Sequence, residues 1–354
     1  MDDKNLPKNF NPSCPVPLRH DDRVVIGHGS GGRMTADLIK RIFEPHFSNP
    51  ILLTGNDFAE LIIKKGRIVV STDSHIVQPL FFPGGDIGKL AVCGTVNDVA
   101  MSGAVPKYLT AGFIIEEGFE IQNLEEIAES MQAAAQEAGV DIVAGDTKVI
   151  EKGKGDGVFI NTTGIGVLEE DFHIGGENAR PGDAVIISGT VGEHGMAVLY
   201  ARGDLGLESQ IQSDVAPLNG LIQQLLQACP DVHVLRDPTR GGLATTLNEI
   251  ACQSEVCIQI QEKTVPILPA VRTACEMLGF DPLYVANEGK VIIILPEAQA
   301  EKALKVLHEH PYGKMAQRIG EVKESPKGRV LLHTALGTNR ILETLSGEML
   351  PRIC

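Results

Sequence analysis

The sequence contains no tryptophan, and aromatic side chains make up only 4% of its 354 residues. Proteins that bind single-stranded nucleic acid stack the bases on aromatic rings. Basic residues are also scarce: 31 Lys and Arg stand against 46 Asp and Glu, which gives a formal net charge of −15. Such a charge repels phosphate backbones and anionic lipids. The composition therefore argues against binding to nucleic acid or to a membrane surface.

A membrane span and a secretory signal are missing as well. No uninterrupted apolar stretch reaches the roughly 18 residues expected of a membrane span, and the first ten residues, MDDKNLPKNF, are polar. The seven cysteines are an odd number and lack the CxxC spacing of a zinc site. We interpret most of them as reduced thiols and expect a cytoplasmic protein.

The chain length favours two domains and allows hydrophobic cores that need no disulfides. Strand-like and helix-like segments alternate through both halves, so we predict a mixed α/β (α+β) protein. A polar, proline-rich leader and a Pro-Gly-Asp turn mark boundaries. We predict a loose leader at 1–22, an N-terminal α/β domain at 23–178, a C-terminal α/β domain at 179–336 and a flexible tail at 337–354.

Three segments of the N-terminal half carry aspartates that matter below. RIVVST, at 67–72, predicts a strand that ends at Asp73. KLAVCGTVNDVAMSGA, at 89–104, predicts a largely buried helix, because nearly all of its residues are apolar or small. DIVAGDTKV, at 141–149, predicts a strand followed by a loop.

The clearest helical periodicity lies between 123 and 138. Asn123 with Glu126 forms a start like a capping box, and Gly139 is a natural stop. In the C-terminal half, AVIISG and KVIIIL predict strands, and LATTLNEIA, PAVRTACEMLGF and AEKALKVLHEH predict helices.

Four aspartates lie at the ends of apolar segments or inside the buried helix: Asp57, Asp73, Asp98 and Asp146. Any one of them can be an ordinary turn or helix-cap residue. Asp98 is harder to explain in that way, because its neighbours are apolar or small and an unpaired carboxylate there is costly. A Mg²⁺ ion would supply the missing partner through carboxylate and phosphate oxygens.

Two glycine-rich stretches can present backbone N–H groups to phosphate. GHGSGGR, at 27–33, lacks the lysine-serine ending of a Walker loop. DPTRGG, at 237–242, offers Thr239 and Arg240 as polar contacts, although helix capping explains it equally well. The simpler interpretation of Lys148 and Glu288 is that they are charged residues on the surface. His75 is not part of an HxH or HxxxH metal-binding pattern.

These segments together resemble the HypE family of hydrogenase maturation factors, through HGSGG, STDSHIVQPLFFPGGDIGKLAVCGTVNDVAMSGAVP, GDTKV, RDPTRGGLA, NEGK and the terminal PRIC. The resemblance runs in order from about Val24 to Cys354. It implies the two-domain PurM-like fold of an ATP-using superfamily that includes aminoimidazole ribonucleotide synthetase, thiamine-monophosphate kinase and selenophosphate synthetase. It also implies a homodimer formed through the N-terminal sheet.

The resemblance further implies an ATP-dependent carbamoyl dehydratase. The partner HypF would place a carbamoyl group on the thiol of Cys354, and ATP would be used to dehydrate this S-carboxamide to a thiocyanate. The cyanide would then pass to iron on a HypC–HypD complex, as a ligand of the [NiFe]-hydrogenase centre. The tail from Gly337 can extend up to roughly 55 Å, which suits an arm that visits both an internal site and a partner.

The site residues implied by the resemblance fall into three groups. The catalytic group is Cys354 as carrier, with Lys148 and Glu288 near the reacting carboxamide. The expected Mg²⁺ ligands are Asp57, Asp73, Asp98 and Asp146. The expected ATP contacts are Gly29, Gly31, Gly32, Asp73, Ser74, His75, Asn97, Thr147, Thr239 and Arg240.

Other members of the superfamily and a non-enzymatic carrier are the alternatives. Selenophosphate synthetase needs a reactive Cys or selenocysteine in an N-terminal glycine-rich loop, whereas GHGSGG has none and Cys14 lies well before it. Thiamine-monophosphate kinase and the purine enzyme leave the terminal cysteine unexplained. A carrier that only shuttles a group made elsewhere would not need the aspartate set.

Overall fold

The structure is a computed structural model that describes residues 22–30, 32–54, 59–63, 65–203, 210–345, 350 and 353. Several predicted features lie outside the described residues: the leader up to residue 21 with Cys14, and the predicted site residues Gly31, Asp57 and Cys354.

The N-terminal half contains six strands and four α-helices among its described residues. The strands are β1 Arg67–His75, β2 Phe81–Phe82, β3 Gly85–Asp86, β4 Val105–Glu116, β5 Asp141–Ile150 and β6 Val158–Leu168. The helices are α1 Arg33–Leu38, α2 Glu44–Phe47, α3 Ile87–Ala100 and α4 Ile121–Ala138, and a π-helical segment, Ile39–Phe43, joins the first two.

Four of these strands form one sheet in the order β1-β6-β4-β5. One face of this sheet packs on the buried helix α3, which in turn packs on α4. The opposite face leaves large apolar side chains in contact with solvent, since Ile68 is 58%, Val70 61% and Ile114 44% exposed. The sheet therefore has one covered face and one apolar face that is open in the single chain.

Helix α3 is buried almost throughout, as its composition predicts. Asp86 caps its start by accepting hydrogen bonds from the backbone nitrogens of Gly88 (2.6 Å) and Lys89 (3.2 Å). Gly88 allows the close approach of α4, because a Cβ atom at this position would lie 2.5 Å from the carbonyl oxygen of Ile127. Asp98 lies in the last turn and is only partly buried.

Three predicted boundaries differ from the structure. β1 continues to His75 and β5 to Ile150, so Asp73 and Asp146 lie within strands rather than after them. Ladder pairing continues past both aspartates because their side chains project from the faces of the sheet and leave the backbone hydrogen bonds in its plane intact. Helix α4 begins at Ile121, since Glu120 is its N-cap and is held in a β-bridge with Arg23. The predicted stop is confirmed, with Gly139 in the left-handed conformation (φ 70°).

The C-terminal half adds a second sheet of seven strands in the order β13-β12-β9-β11-β7-β10-β8. The strands are β7 Asp183–Ile187, β8 Val234–Arg236, β9 Cys257–Gln261, β10 Ile292–Pro296, β11 Gln317–Lys323, β12 Arg329–His333 and β13 Asn339–Leu342. The helices are α5 Glu193–Ala201, α6 Asn219–Ala228, α7 Gly242–Gln253, α8 Pro269–Leu278 and α9 Ala300–Glu309. The predicted mixed α/β class is confirmed.

The segment predicted as a flexible tail is partly built into the fold. Strand β13 lies within the range 337–354 and pairs with β12. Near the terminus, Leu350 and Ile353 are buried, and Ile353 forms an antiparallel bridge with Val77. The described end of the chain therefore lies against the N-terminal half, just beyond the end of β1. Among the described residues, no helix is long and apolar enough to cross a membrane.

Candidate active site

Four carboxylic acids share one electrostatic environment at the end of β1 and around helix α3. We call Asp73, Asp98, Asp237 and Glu288 the acidic cluster. Burial raises the pKa of Asp98, and the carboxylate of Asp73 adds to this increase although the hydroxyl of Ser71, 2.8 Å away, opposes it. Burial also raises the pKa of Asp237 to about 7, with repulsion from Asp98 adding to the effect. The cluster therefore concentrates negative charge in a poorly hydrated place.

Glu288 is a fully buried member of the acidic cluster. Burial raises the pKa of Glu288 well above its ordinary value, and repulsion from Asp237 and Asp214 raises it further. Its Oε1 atom is buried without a hydrogen-bond partner. A buried polar atom without a partner costs free energy, so such an atom is suited to a ligand N–H group or a cation. The Mg²⁺–phosphate site expected at this place stays a prediction.

The backbone around Glu288 is held by a buried carboxylate. Asp214 accepts hydrogen bonds from the backbone nitrogens of Glu288 (3.2 Å) and Gly289 (3.1 Å) and from Nζ of Lys290 (3.0 Å). Burial raises the pKa of Asp214, but the ammonium group of Lys290, the His194 ring and the hydrogen bonds together outweigh burial and hold this pKa below its usual value. Glycine is required at 289, where a Cβ atom would lie 1.9 Å from the carbonyl oxygen of Asp214.

Asn97 connects helix α3 to the same segment. Its side-chain nitrogen donates to the carbonyl oxygens of Ala216 (3.1 Å) and Glu288 (3.3 Å), and its oxygen accepts from the backbone nitrogen of Leu218 (2.7 Å). Asn97 is almost fully buried. In this structure the residue joins the two halves of the chain, and the ATP contact expected for it stays a prediction.

His75 is buried beside the acidic cluster. Burial lowers the pKa of His75 to about 4, although the nearby carboxylate of Asp73 opposes this and Arg240 assists it. Its ring is therefore neutral at pH 7, and its Nδ1 atom has no hydrogen-bond partner. Arg240, in the DPTRGG loop, is thus near enough to affect the pKa of His75, and the ATP contact expected for it stays a prediction. Thr239 lies in the same loop, where its carbonyl oxygen accepts from Gly242 (2.9 Å).

Strand β5 carries a second group of predicted site residues at the edge of the N-terminal sheet. Lys148 forms an ion pair with Asp146 at 2.6 Å, and its hydrogen bond holds the pKa of Asp146 below the usual value. Gly29 packs closely on this edge, because a Cβ atom there would lie 2.4 Å from the backbone nitrogen of Val149. A cavity of about 550 Å³ is lined by Gly29, Asp146, Thr147 and Lys148, among other residues.

The sheet register separates this second group from the acidic cluster. Asp146 pairs across Gly112 and Asn161 with Ser74, so three strand spacings, or about 14 Å, lie between β5 and β1 at this level. Asp73 faces helix α3, where its Oδ2 would be 3.9 Å from a Cβ atom at Gly94. In the described residues of one chain, no three metal-binding side chains converge on a single point.

The remaining predicted ATP contacts lie near one group or the other. Ser74 is exposed and accepts a hydrogen bond from Nδ2 of Asn161 at 2.9 Å. Gly32 directly precedes helix α1, close in sequence to Gly29.

Asp214 and Asn161 were missed by sequence reasoning. Neither stands in a motif, and only the long-range pairing of the fold brings them to the site.

Comparisons with known proteins find similarity along both halves of the chain. The family model described as AIR synthase related protein, N-terminal domain, matches residues 55–168, and that of the C-terminal domain matches residues 180–333. A relative from Cupriavidus necator named carbamoyl dehydratase HypE is 55% identical over 333 residues, which cover 94% of this chain and 95% of the relative.

Solved structures give the same result. A structure described as hydrogenase maturation protein HypE in complex with ATP matches with a TM-score of 0.90 and 53% identity, over 93% of this chain and 99% of that one. A structure of a HypE–HypF complex matches with a TM-score of 0.77 and 53% identity, over 87% and 99% of the two chains. Both described sheets therefore have counterparts of known structure.

Proposed function

The chain belongs to the HypE family of hydrogenase maturation proteins, and from this we propose that it is an ATP-dependent carbamoyl dehydratase whose substrate is carried on its own Cys354. One observation carries the proposal. Ile353, the residue before Cys354, is buried and bridged to Val77. Val77 follows the strand that holds Asp73 and His75. Ile353 thus pairs with a residue just past the end of β1, and this placement supports the proposed carrier arm.

The chemistry starts from a poor leaving group. The oxygen of a carboxamide does not leave as water at neutral pH without activation. In the proposed reaction the carboxamide oxygen attacks the γ-phosphorus of ATP and ADP leaves. The nitrogen then gives up its protons, the C–O bond breaks with release of phosphate, and the remaining electrons form the C≡N triple bond of the thiocyanate. The protein must therefore hold the triphosphate and supply a base.

Glu288 is the proposed base. A carboxyl group with a raised pKa is a stronger base when ionised than an ordinary carboxylate. The unpartnered Oε1 of Glu288 is suited to accept a hydrogen bond from the carboxamide nitrogen. We propose that Lys148 lies near the reacting group, where its positive charge would stabilise the negative charge of the phosphorylated intermediate.

Mg²⁺ is proposed as the companion of ATP. Asp73 and Asp98 would hold it, and Asp57 and Asp146 are further proposed ligands, although β5 with Asp146 lies about 14 Å from β1 in the single chain. Bound Mg²⁺ would neutralise part of the negative charge of the phosphate groups. Burial and, to a smaller extent, repulsion from Asp73 raise the pKa of Asp98, and a nearby cation would favour its ionised form. Gly29, Gly31, Gly32, Ser74, His75, Asn97, Thr147, Thr239 and Arg240 remain the proposed ATP contacts.

HypF is the proposed donor of the carbamoyl group, and the similarity to a HypE chain solved with HypF supports it. The proposed acceptor of the cyanide is iron on a HypC–HypD complex. A thiocyanate on a terminal cysteine suits such a transfer, since the arm can present its carbon to another protein. We propose that these steps occur in the cytoplasm.

A homodimer is proposed through the open apolar face of the N-terminal sheet. Ile68, Val70 and Ile114 on this face are exposed in the single chain, and a second copy would cover them. Such a dimer would also bring a second β5 edge near the first chain. We retain the proposed domain limits of 23–178 and 179–336. Each of the two matched family models lies within one of these ranges.

The test is ATP turnover by protein that carries a carbamoylated tail. We expect about one ADP released for each carboxamide that loses one water. A non-enzymatic carrier would release no ADP and would keep the mass of the carboxamide, and this result would overturn the proposal.

A further inference from the structure

The end of the chain is held by its backbone. Nε2 of His194 lies 2.5 Å from the carbonyl oxygen of Ile353. The antiparallel bridge to Val77 holds the same residue from the other side. Leu350 is also buried, where its Cδ1 atom would be 3.3 Å from a Cβ atom at Gly195. The residue that precedes Cys354 is thus held both by its backbone and by its side chain, which is buried in the hydrophobic core.

The surroundings of His194 determine which ring nitrogen carries the proton. A carbonyl oxygen can only accept, so Nε2 must donate to Ile353. Nδ1 lies 2.8 Å from Oγ of Ser213 and must then accept from this hydroxyl. Ser213 is consistent with this role, because its oxygen also accepts from the backbone nitrogen of Val215 (3.2 Å). Burial lowers the pKa of His194, so the ring stays neutral and keeps this tautomer.

His194 has no room to turn away. It is completely buried, and its ring meets the edge of Phe82 with centroids 5.4 Å apart. The backbone nitrogen of Ser213 donates to the carbonyl oxygen of Pro83 (2.7 Å), which fixes the second partner of the ring. Ser213 and Phe82 thus orient the ring through contacts that do not involve the tail, which limits the entropic cost of forming the hydrogen bond to Ile353.

The same segment supports the proposed base. Ser213, which orients His194, is followed by Asp214, which accepts from the backbone nitrogen of Glu288 (3.2 Å). Two adjacent residues thus link the contact that holds the tail to the contact that holds Glu288. A shift of this segment would change both at once.

We propose that His194, oriented by Ser213, is the positioning residue that docks the C-terminal arm by binding the carbonyl oxygen of Ile353 and so presents the group on Cys354 to Glu288. This inference rests on the proposed function for the identity of the group. The docking itself does not.

Docking can be measured by trypsin, which cleaves after Arg352 and releases the dipeptide Ile353–Cys354. Ile353 is buried and bridged, so cleavage requires the arm to leave its site. When undocking is fast relative to cleavage, the release rate follows the undocked fraction. The dipeptide is quantified by mass spectrometry during brief digestion of the full-length protein, and ATP affinity reports that each variant is folded.

His194→Phe keeps a flat ring but loses the donor. We expect it to release the dipeptide about tenfold faster, the effect of losing one buried hydrogen bond. His194→Gln retains an N–H donor and should restore part of the protection. His308→Phe is the matched control. His308 lies on helix α9, and its imidazole is 2.9 Å from the carbonyl oxygen of Ala316, so the variant also removes a hydrogen bond between an imidazole and a carbonyl group. Its release rate should equal that of the wild type.

An unchanged release rate in folded His194→Phe would overturn the inference. If that variant fails to bind ATP, Ser213→Ala decides, because it removes only the hydroxyl that orients the ring. Release about threefold faster supports the inference, and a rate equal to that of His308→Phe overturns it. The assay needs no turnover. A wild-type protein that docks its arm but does not dehydrate the carboxamide would therefore refute the proposed function and leave the docking inference intact.

Discussion

The side-chain nitrogen of Asn97, on helix α3, lies 3.3 Å from the backbone carbonyl oxygen of Glu288, on the segment before strand β10. A buried residue of the N-terminal half thus helps to place the proposed base of the C-terminal half. The acidic cluster is built in the same way, because Asp73 and Asp98 come from one half and Asp237 and Glu288 from the other. The position of Glu288 therefore depends on how the two halves pack.

Replacing Asn97 should separate this structural role from an ATP contact. Asn97→Leu leaves the buried backbone groups of Ala216, Leu218 and Glu288 without their partner, so we expect the free energy of unfolding to fall by about 2–4 kcal/mol. Dehydration should slow by more than tenfold, and a calorimetric ATP affinity within about twofold of the wild type would mean that Asn97 acts only by packing the two halves. Asn248→Leu is the control, since Asn248 bridges Ala244 and Leu342 within the C-terminal half. A loss of ATP affinity in Asn97→Leu alone would instead favour a direct nucleotide contact.

Glu288→Gln tests the proposed base. The amide has nearly the same shape but cannot take up a proton, so single-turnover dehydration should fall by about 10²–10⁴-fold. ATP binding should persist, because the substitution removes no phosphate contact. Glu297→Gln, at a half-exposed carboxylate in an ion pair with Arg318, is the control. Dehydration at the wild-type rate in Glu288→Gln would show that another group removes the protons.

Two aspartates should affect Mg²⁺-dependent ATP binding. Asp98→Asn and Asp146→Asn each remove a negative charge from a proposed ligand, and we expect ATP affinity in the presence of Mg²⁺ to fall at least tenfold. Binding without Mg²⁺ should change little. Asp171→Asn, which lies in an exposed ion pair with Arg67, serves as the comparison. Unchanged calorimetric affinity in both test variants would refute their metal role.

His75 should make stability depend on pH. Its folded pKa of about 4 lies below the ordinary 6.5, so the unfolded chain binds a proton that the folded protein excludes. This contribution to the free energy of unfolding is complete above pH 6.5 and is lost as the pH falls towards 4. A difference of about 2.5 units corresponds to about 3 kcal/mol. Urea unfolding of His75→Leu between pH 7.5 and 4.5 should show a shallower loss than the wild type, and parallel curves would contradict this expectation.

The open face of the N-terminal sheet should determine the oligomeric state. Val70→Glu places a charge where a second copy would bury it, so a dimer should become a monomer in sedimentation analysis. Leu336→Glu introduces the same change at a residue that is 92% exposed and outside this sheet, and it should leave the dimer intact. A wild-type monomer, or a dimeric Val70→Glu variant, would exclude this interface.

Local patterns were enough to predict several elements of the fold. Helix α3 follows from a run of apolar and small residues, and the stop of α4 follows from Gly139, which adopts the left-handed conformation. The ends of β1 and β5 were wrong, because a polar residue such as Asp73 does not end a strand whose neighbour continues to pair with it. Strand length here is set by the ladder, which sequence periodicity does not contain.

The candidate site was predictable as a list of residues but not as an arrangement. The motifs single out Asp98 and Glu288 as candidates, yet only the packing of the two halves shows that they share one environment. The separation of Asp146 from Asp73 follows from strand order, which places β5 and β1 at opposite edges. Asp214 and His194 act through partners more than 70 residues away in the sequence, so no local pattern points to them.

The central claim is that Cys354 carries the carboxamide while the rest of the protein removes its oxygen. The most direct test is the mass of the C-terminal peptide 349–354, released by a protease that cleaves after glutamate, following incubation with HypF, carbamoyl phosphate and ATP. We predict a carbamoylated peptide that loses one water when ATP is present, and no modification in Cys354→Ala. A carbamoyl group that persists on Cys354 despite ATP, or a cyanated product in Cys354→Ala, would contradict the account.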